Sequence, residues 1–240
     1  MGNIFRFFLI AFSGLLLVSC AEKNNELSCE EILNTSYENS SLNNFEKNKF
    51  KDLLINRYPK YDSMFQEASE ETNIDKNLLA AISFQESQWD PRAKSSMGVR
   101  GMMMVTLETA ALVGVEKRLN PEQNIKGGAR YFAMLQDKNK LGLTEADKLA
   151  IVLASYNLGP TSIINIANQI SKDITNITWN EISERLETIK GQELNLTDKG
   201  SYTRGQQAID YVNRVKDYYR LLSAHSCVAP IDRLTFSLES

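Results

Sequence analysis

Among the acids of this 240-residue chain, Glu86 has the surroundings in which a carboxylic acid can keep its proton near neutral pH. Leu79, Ile82 and Phe84 precede it in the nearly apolar run from Leu78 to Gln85. Burial against such groups disfavours the carboxylate and raises its pKa. An acid of that kind can protonate the leaving oxygen of a glycosidic bond. Most enzymes that break such bonds add a second carboxylate as nucleophile or base. Asp90 follows Glu86 by about one helical turn, but it stands before Pro91, a helix-end signal, and the loop beyond would carry it away. On residue types alone, Glu86 stays open between a proton donor and a solvated or ion-paired helix residue.

The loop that follows must hold anything Glu86 acts on. It contains Ser95 and Ser96, Gly98 and Gly101, and the run Met102-Met103-Met104. The glycines fit tight backbone turns beside a ligand rather than a phosphate loop, because no strand precedes them. Ser95 reads as a turn residue. Met103 and Met104, in a methionine cluster, read as core. Trp179 reads as core, and Trp89, beside the helix end, as core or as a ring to stack on a sugar.

Helical spacing runs from Phe45 to Pro59 and from Tyr61 to Thr72. Asp75 is an N-cap for a helix from Lys76 to about Gln88, and Gly114 stops another that starts near Thr106. Asn120-Pro121 opens a helix carrying Ile125, Tyr131 and Phe132, and Thr144 opens one that ends at Asn157-Leu158-Gly159-Pro160. Further amphipathic segments cover 162–170, 179–189 and 207–222. No run alternates with period two, so the expected fold is mostly α.

The formal net charge of −3, with scattered Lys and Arg, gives no general basic field for nucleic acid. Phe7 to Val18 is a short apolar run suited to a signal peptide and ends in Leu17-Val18-Ser19-Cys20. This resembles the bacterial lipoprotein cleavage box. It implies removal of 1–19, lipidation of Cys20 and, with Ala21 next to it, an outer-membrane anchor facing the periplasm. Residues 20–45, polar and without Pro or Gly, are expected to be a tether of low order. The domain is expected over 46–228 and a tail over 229–240. The two remaining cysteines, Cys29 and Cys227, are either a disulfide, as an oxidising compartment permits, or free thiols. His225 is the sole histidine, and no spacing fits a zinc site.

Glu86-Ser87, Trp89-Asp90-Pro91, Ala93, Ser95, Gly98, Gly101 and Met103 together resemble the signature of lytic transglycosylases of the goose-lysozyme-like (SLT) superfamily. The form Gly98-Val99-Arg100-Gly101-Met102-Met103-Met104 with Thr106 is most like the catalytic domain of the F-type membrane-bound lytic murein transglycosylases. Three further blocks follow in order: Asn124-Ile125 with Gly127 to Tyr131; Ala154-Ser155-Tyr156-Asn157 with Gly159; and Arg204-Gly205, Tyr211-Val212 and Tyr218-Tyr219. The resemblance covers about Ile55 to Leu222, and four ordered blocks are far more specific than any one.

The resemblance implies a lysozyme-like helical domain with a cleft. It also implies cleavage of the MurNAc–GlcNAc β-1,4 bond of peptidoglycan with formation of 1,6-anhydroMurNAc, by a single acid/base, Glu86, without cofactor or metal. The sugar's acetamido group would stand in for a second carboxylate. Ser95, Met103, Met104, Tyr131, Tyr156 and Asn157 would contact the substrate, with Tyr156 a natural hydrogen-bond partner of Glu86. Many relatives carry Gln where this chain has Met104, which supports placement in the F subgroup. F-type enzymes carry a solute-binding-like domain ahead of the catalytic one. Only the short lead-in stands here, so control by such a domain is expected to be absent or supplied by another chain. The alternatives are a hydrolytic muramidase and a non-catalytic cell-wall-binding lipoprotein. Partners beyond glycan strands and the membrane, such as cell-wall or secretion machinery, are not specified.

Overall fold

In the structure, a computed structural model describing residues 28–188 and 203–226, ten α-helices pack together with the fourth at the centre. In chain order they are α1 (Cys29–Glu38), α2 (Asn44–Asn56), α3 (Asp62–Thr72), α4 (Lys76–Ser87) and α5 (Leu107–Val113), then α6 (Pro121–Lys138), α7 (Glu145–Leu158), α8 (Pro160–Ile170), α9 (Trp179–Thr188) and α10 (Arg204–His225). Among the described residues there is no strand; two isolated bridges, Lys94 to Arg100 and Arg100 to Val105, pin the loop after α4. None of the described helices is long and apolar enough to cross a membrane.

The ends of these helices follow from capping chemistry. A helix leaves its first N–H groups without partners, and a side-chain oxygen just before it can accept one. Asp75 does so for Leu78 N–H, Thr106 for Thr109, Asn120 for Gln123 and Thr144 for Asp147. Gly114 ends α5 at φ 74°, a conformation a Cβ disfavours. Gly159, at φ 91°, turns α7 directly into α8, which therefore starts at Pro160, two residues before the sequence pattern places it.

Burial decides which helices are central. Leu78 to Phe84 are all buried, so α4 is covered on every side, and α7 is buried likewise from Leu149 to Ser155. The longest helix, α10, packs most extensively against α4 and also lies along α7 and α1. At the end of α4, Phe84 meets Phe50, Trp89 and Tyr218 with ring centroids 4.5 to 5.0 Å apart. Trp89 is fully buried and donates its indole N–H to Ala80 O at 2.9 Å. Of the two roles the sequence leaves open, it takes the core one.

One expectation is overturned. Residues 29–38 belong to no loose tether: they form α1, opened by a capping box in which Ser28 and Glu31 satisfy each other's main-chain N–H. The helix packs on α10, where Tyr37 and His225 share a hydrogen bond of 2.9 Å and the buried Asp217 accepts from both N–H and hydroxyl of Ser41. A polar surface with one apolar side suffices for a helix that has a partner to lie on. Cys29 is disulfide-bonded. Cys20 and Cys227, with the signal and tail segments, lie outside the described residues.

Candidate active site

Glu86 sits in the last turn of α4. Immediately beyond, Gln88 and Trp89 both adopt left-handed backbone conformations, at φ 54° and 59°. Such residues cost of order 1 kcal/mol each and persist only where the surroundings enforce them. Here burial of the Trp89 ring does so, together with the bonds from Gln88 N–H to Phe84 O at 2.7 Å and from Arg57 to Gln88 O at 2.9 Å. The chain is thereby thrown back over the end of α4, and Asp90 is left accepting from Arg92 N–H in a local turn.

Three helices then hold the glycine loop. Ser83 and Ser87 of α4 both donate to Met102 O, at 3.1 and 2.7 Å. Asn124 of α6, with no exposed surface, accepts from Met103 N–H at 2.7 Å and donates to Arg100 O and Arg118 O. Tyr156 of α7 donates to Met103 O at 2.8 Å. Gly101 turns at φ 83°, and a Cβ there would lie 2.3 Å from Arg118 O and 2.4 Å from the Asn124 amide. The glycine is required both by conformation and by the approach of α6.

Within this frame the Glu86 carboxyl is dehydrated, although part of the residue keeps contact with solvent. Burial lifts its pKa from 4.5 to about 7, and the opposing influence is the Tyr211 phenol of α10, which favours the ionised form. That phenol is buried without a hydrogen-bond partner of regular geometry, so it stands near the carboxyl and free to close on it. Burial, and then the Glu86 charge, push the Tyr211 and Tyr156 hydroxyls far above their ordinary pKa, so both remain neutral donors. The rings of Tyr131 and Tyr156 stand 5.5 Å apart. No second carboxylate is among the groups shifting Glu86.

The expected site residues divide. Glu86, Tyr156 and Tyr131 come together. Tyr156, however, does not serve Glu86 as expected, since its proton goes to Met103 O; Tyr211 is the phenol that faces the acid. Met103 is fully buried, and a Cβ on Gly128 would strike its side chain at 2.6 Å, so it packs the floor against α6 and presents no surface to a ligand. Its expected substrate contact is corrected accordingly. Met104 is half-buried at φ 48°. Ser95 spends its hydroxyl accepting from Val99 N–H at 3.3 Å, a turn role. Asn157 keeps a buried amide oxygen with no partner. Sequence reasoning missed Tyr211, Asn124 and the Ser83–Ser87 pair as parts of the site. Their signals were present as members of matching blocks and as two serines one turn apart on an otherwise apolar helix.

The helical fold thus holds one dehydrated acid beside a glycine loop clamped by three helices. Residues 63–178 match the family described as Transglycosylase SLT domain. The chain is 39% identical over 176 residues to membrane-bound lytic murein transglycosylase F 1 of Alkalilimnicola ehrlichii, covering 72% of this chain and 35% of that one. It is 38% identical over 189 residues to membrane-bound lytic murein transglycosylase F of Vibrio campbellii, covering 78% and 35%. Among solved structures, an inactive mutant of lytic transglycosylase Slt from Pseudomonas aeruginosa matches with a TM-score of 0.53 at 18% identity, over 72% of this chain and 25% of that one, and shows the shared fold. Residues 63–178 are thus similar to the transglycosylase SLT domain, and the chain spans about a third of the length of the curated relatives it matches.

Proposed function

We propose that the chain is a peptidoglycan lytic transglycosylase with Glu86 as its only acid/base. The observation that carries the reading is the Glu86 carboxyl itself: dehydrated, with a pKa near 7, and with no other carboxylate among the groups acting on it. In its protonated form Glu86 gives a proton to the oxygen between MurNAc and GlcNAc, and the bond from that oxygen to C1 of MurNAc breaks. The acetamido oxygen of the same sugar stabilises C1. The Glu86 carboxylate then takes the proton of the C6 hydroxyl, whose oxygen bonds to C1 and closes the 1,6-anhydro ring. The carboxyl is regenerated and no water is consumed. A pKa near the working pH suits a group that must give and then take a proton. Tyr211 stabilises the intervening carboxylate, and the unpartnered oxygen of Asn157 is available to a sugar hydroxyl or amide N–H.

Glu86→Gln should lower glycan cleavage by at least ~10²-fold, since one residue serves two proton transfers. Unchanged cleavage by this variant would remove the assignment.

We place the protein at the cell envelope, lipid-anchored through Cys20 and facing the periplasm. The names of the relatives, membrane-bound transglycosylases, agree with that location. Cys20→Ala should release the protein from membranes or block processing; normal fractionation would refute the anchor. The partner of Cys29 in this reading is Cys227. Tyr37 meets His225 and Ser41 meets Asp217, so α1 runs antiparallel to α10 and begins beyond the His225 end of that helix, which supports this pairing.

A further inference from the structure

A pocket of about 460 Å³ opens where the end of α6 meets the start of α8. Met134, Leu141, Ile164 and Ile174 give it apolar walls, and Ile164, although 44% exposed, faces it. Lys138 and Lys140 stand on its rim. Both are exposed, and neither makes an ion pair among the described residues. No carboxylate lines the pocket. Pro160 contributes the first turn of α8, whose N-terminus has no side-chain cap and adds positive potential. Ser155 adds a hydroxyl that makes no hydrogen bond among the described residues. Tyr131 lines this pocket and also stands 5.5 Å from Tyr156, so the pocket lies one aromatic ring from the site of the acid.

Two free cations, an uncapped helix end and small apolar walls suit an acidic peptide with short aliphatic side chains. The volume is in the range of pockets that enclose several such residues. A stripped glycan keeps only one lactyl carboxylate and the lactyl and acetyl methyls, all close to the sugar rings, and lacks the further carboxylates and aliphatic side chains that a peptide would carry into the pocket. The muramic acid at the cleaved bond bears such a peptide on its lactyl group. We propose that this pocket seats that stem peptide, and that the protein therefore prefers peptide-bearing strands over denuded ones. The proposal rests on the function given above. Rim charges contribute modestly one at a time, and two of them with apolar contact support a preference of about tenfold.

The test measures binding by the Glu86→Gln protein, so that nothing is cleaved. Its ligands are soluble glycan strands with peptides intact and the same strands stripped by an amidase. The expected result is about tenfold tighter binding of intact strands, erased by Lys138→Glu with Lys140→Glu while binding of stripped strands stays the same. Equal affinity for both strands would overturn the proposal, as would a lysine variant that weakens both alike. A changed oligomeric state of the lysine variant would assign the pocket to a second copy instead and equally overturn it. Wild-type protein that makes no anhydro ends would refute the proposed reaction and leave this binding comparison readable.

Discussion

The hydroxyl of Tyr156 donates to the main-chain oxygen of Met103 at 2.8 Å, and the N–H of the same methionine is held by Asn124 at 2.7 Å. With Met102 O held by Ser83 and Ser87, two consecutive peptide units are fixed by three different helices. The loop beside Glu86 is therefore as rigid as the core it lies on, which is what a site needs if a substrate is to meet one carboxyl in one geometry.

Removing the α7 anchor tests this. Tyr156→Phe leaves the ring packing and deletes the bond, stranding a buried carbonyl at a cost of about 1–2 kcal/mol. A denaturant melt should show that loss, with kcat for glycan cleavage falling in parallel. A melt like that of the parent would mean that the bond is not formed in solution.

Asn124→Ala should be worse. It leaves Met103 N–H and Arg118 O without partners and takes one of two donors from Arg100 O, which keeps Val105 N–H, so a loss of about 3 kcal/mol is expected, beyond that of Tyr156→Phe. Thermal unfolding of the two variants side by side checks the order; equal or reversed losses would contradict the clamp.

The acid sets a pH dependence with a definite sign. In the proposed reaction cleavage begins with protonated Glu86, so kcat/KM should fall as pH rises above about 7. Tyr211 holds that pKa down, so Tyr211→Phe should move the falling limb to higher pH. A limb that stays in place or moves lower would show that Tyr211 does not act on Glu86.

The same shift is a statement about stability. The folded-state pKa of Glu86 is raised from 4.5 to about 7, so the folded form binds the proton more tightly than the unfolded one. Its burial is therefore tolerated below pH 4.5, becomes progressively destabilising as pH rises from there, and is fully destabilising above about 7. Glu86→Gln, which carries no charge, should be more stable than the parent at pH 8 by about 1–3 kcal/mol and nearly equal at pH 4.5. Melting temperatures at the two pH values decide the matter. An equal difference at both would mean that the carboxyl is not buried as described.

Much of this was legible in the sequence, and the failures are instructive. Asp75, Thr106, Asn120 and Thr144 act through neighbours three residues away, so helix starts could be read directly. Glu86 could be singled out because its apolar context is local. Which phenol faces it could not, because Tyr156 and Tyr211 reach the acid from helices far along the chain, and only packing gives each hydroxyl its direction. Met103 shows the same limit: a methionine in a matching block carries no sign of which side it turns, and here it turns onto Gly128. The helix α1 was misread for another reason. Its composition is that of a linker, and the capping box at Ser28 and Glu31 that marks its start was not read.

The central claim is that Glu86 alone carries out a cleavage that uses no water. Digestion of purified sacculi in heavy-oxygen water, followed by mass analysis of the released muropeptides, tests it most directly. The account predicts chains ending in anhydro-muramic acid, lighter by one water than hydrolytic products and free of the label, and predicts their disappearance with Glu86→Gln. Reducing-end products carrying the heavy oxygen would contradict it.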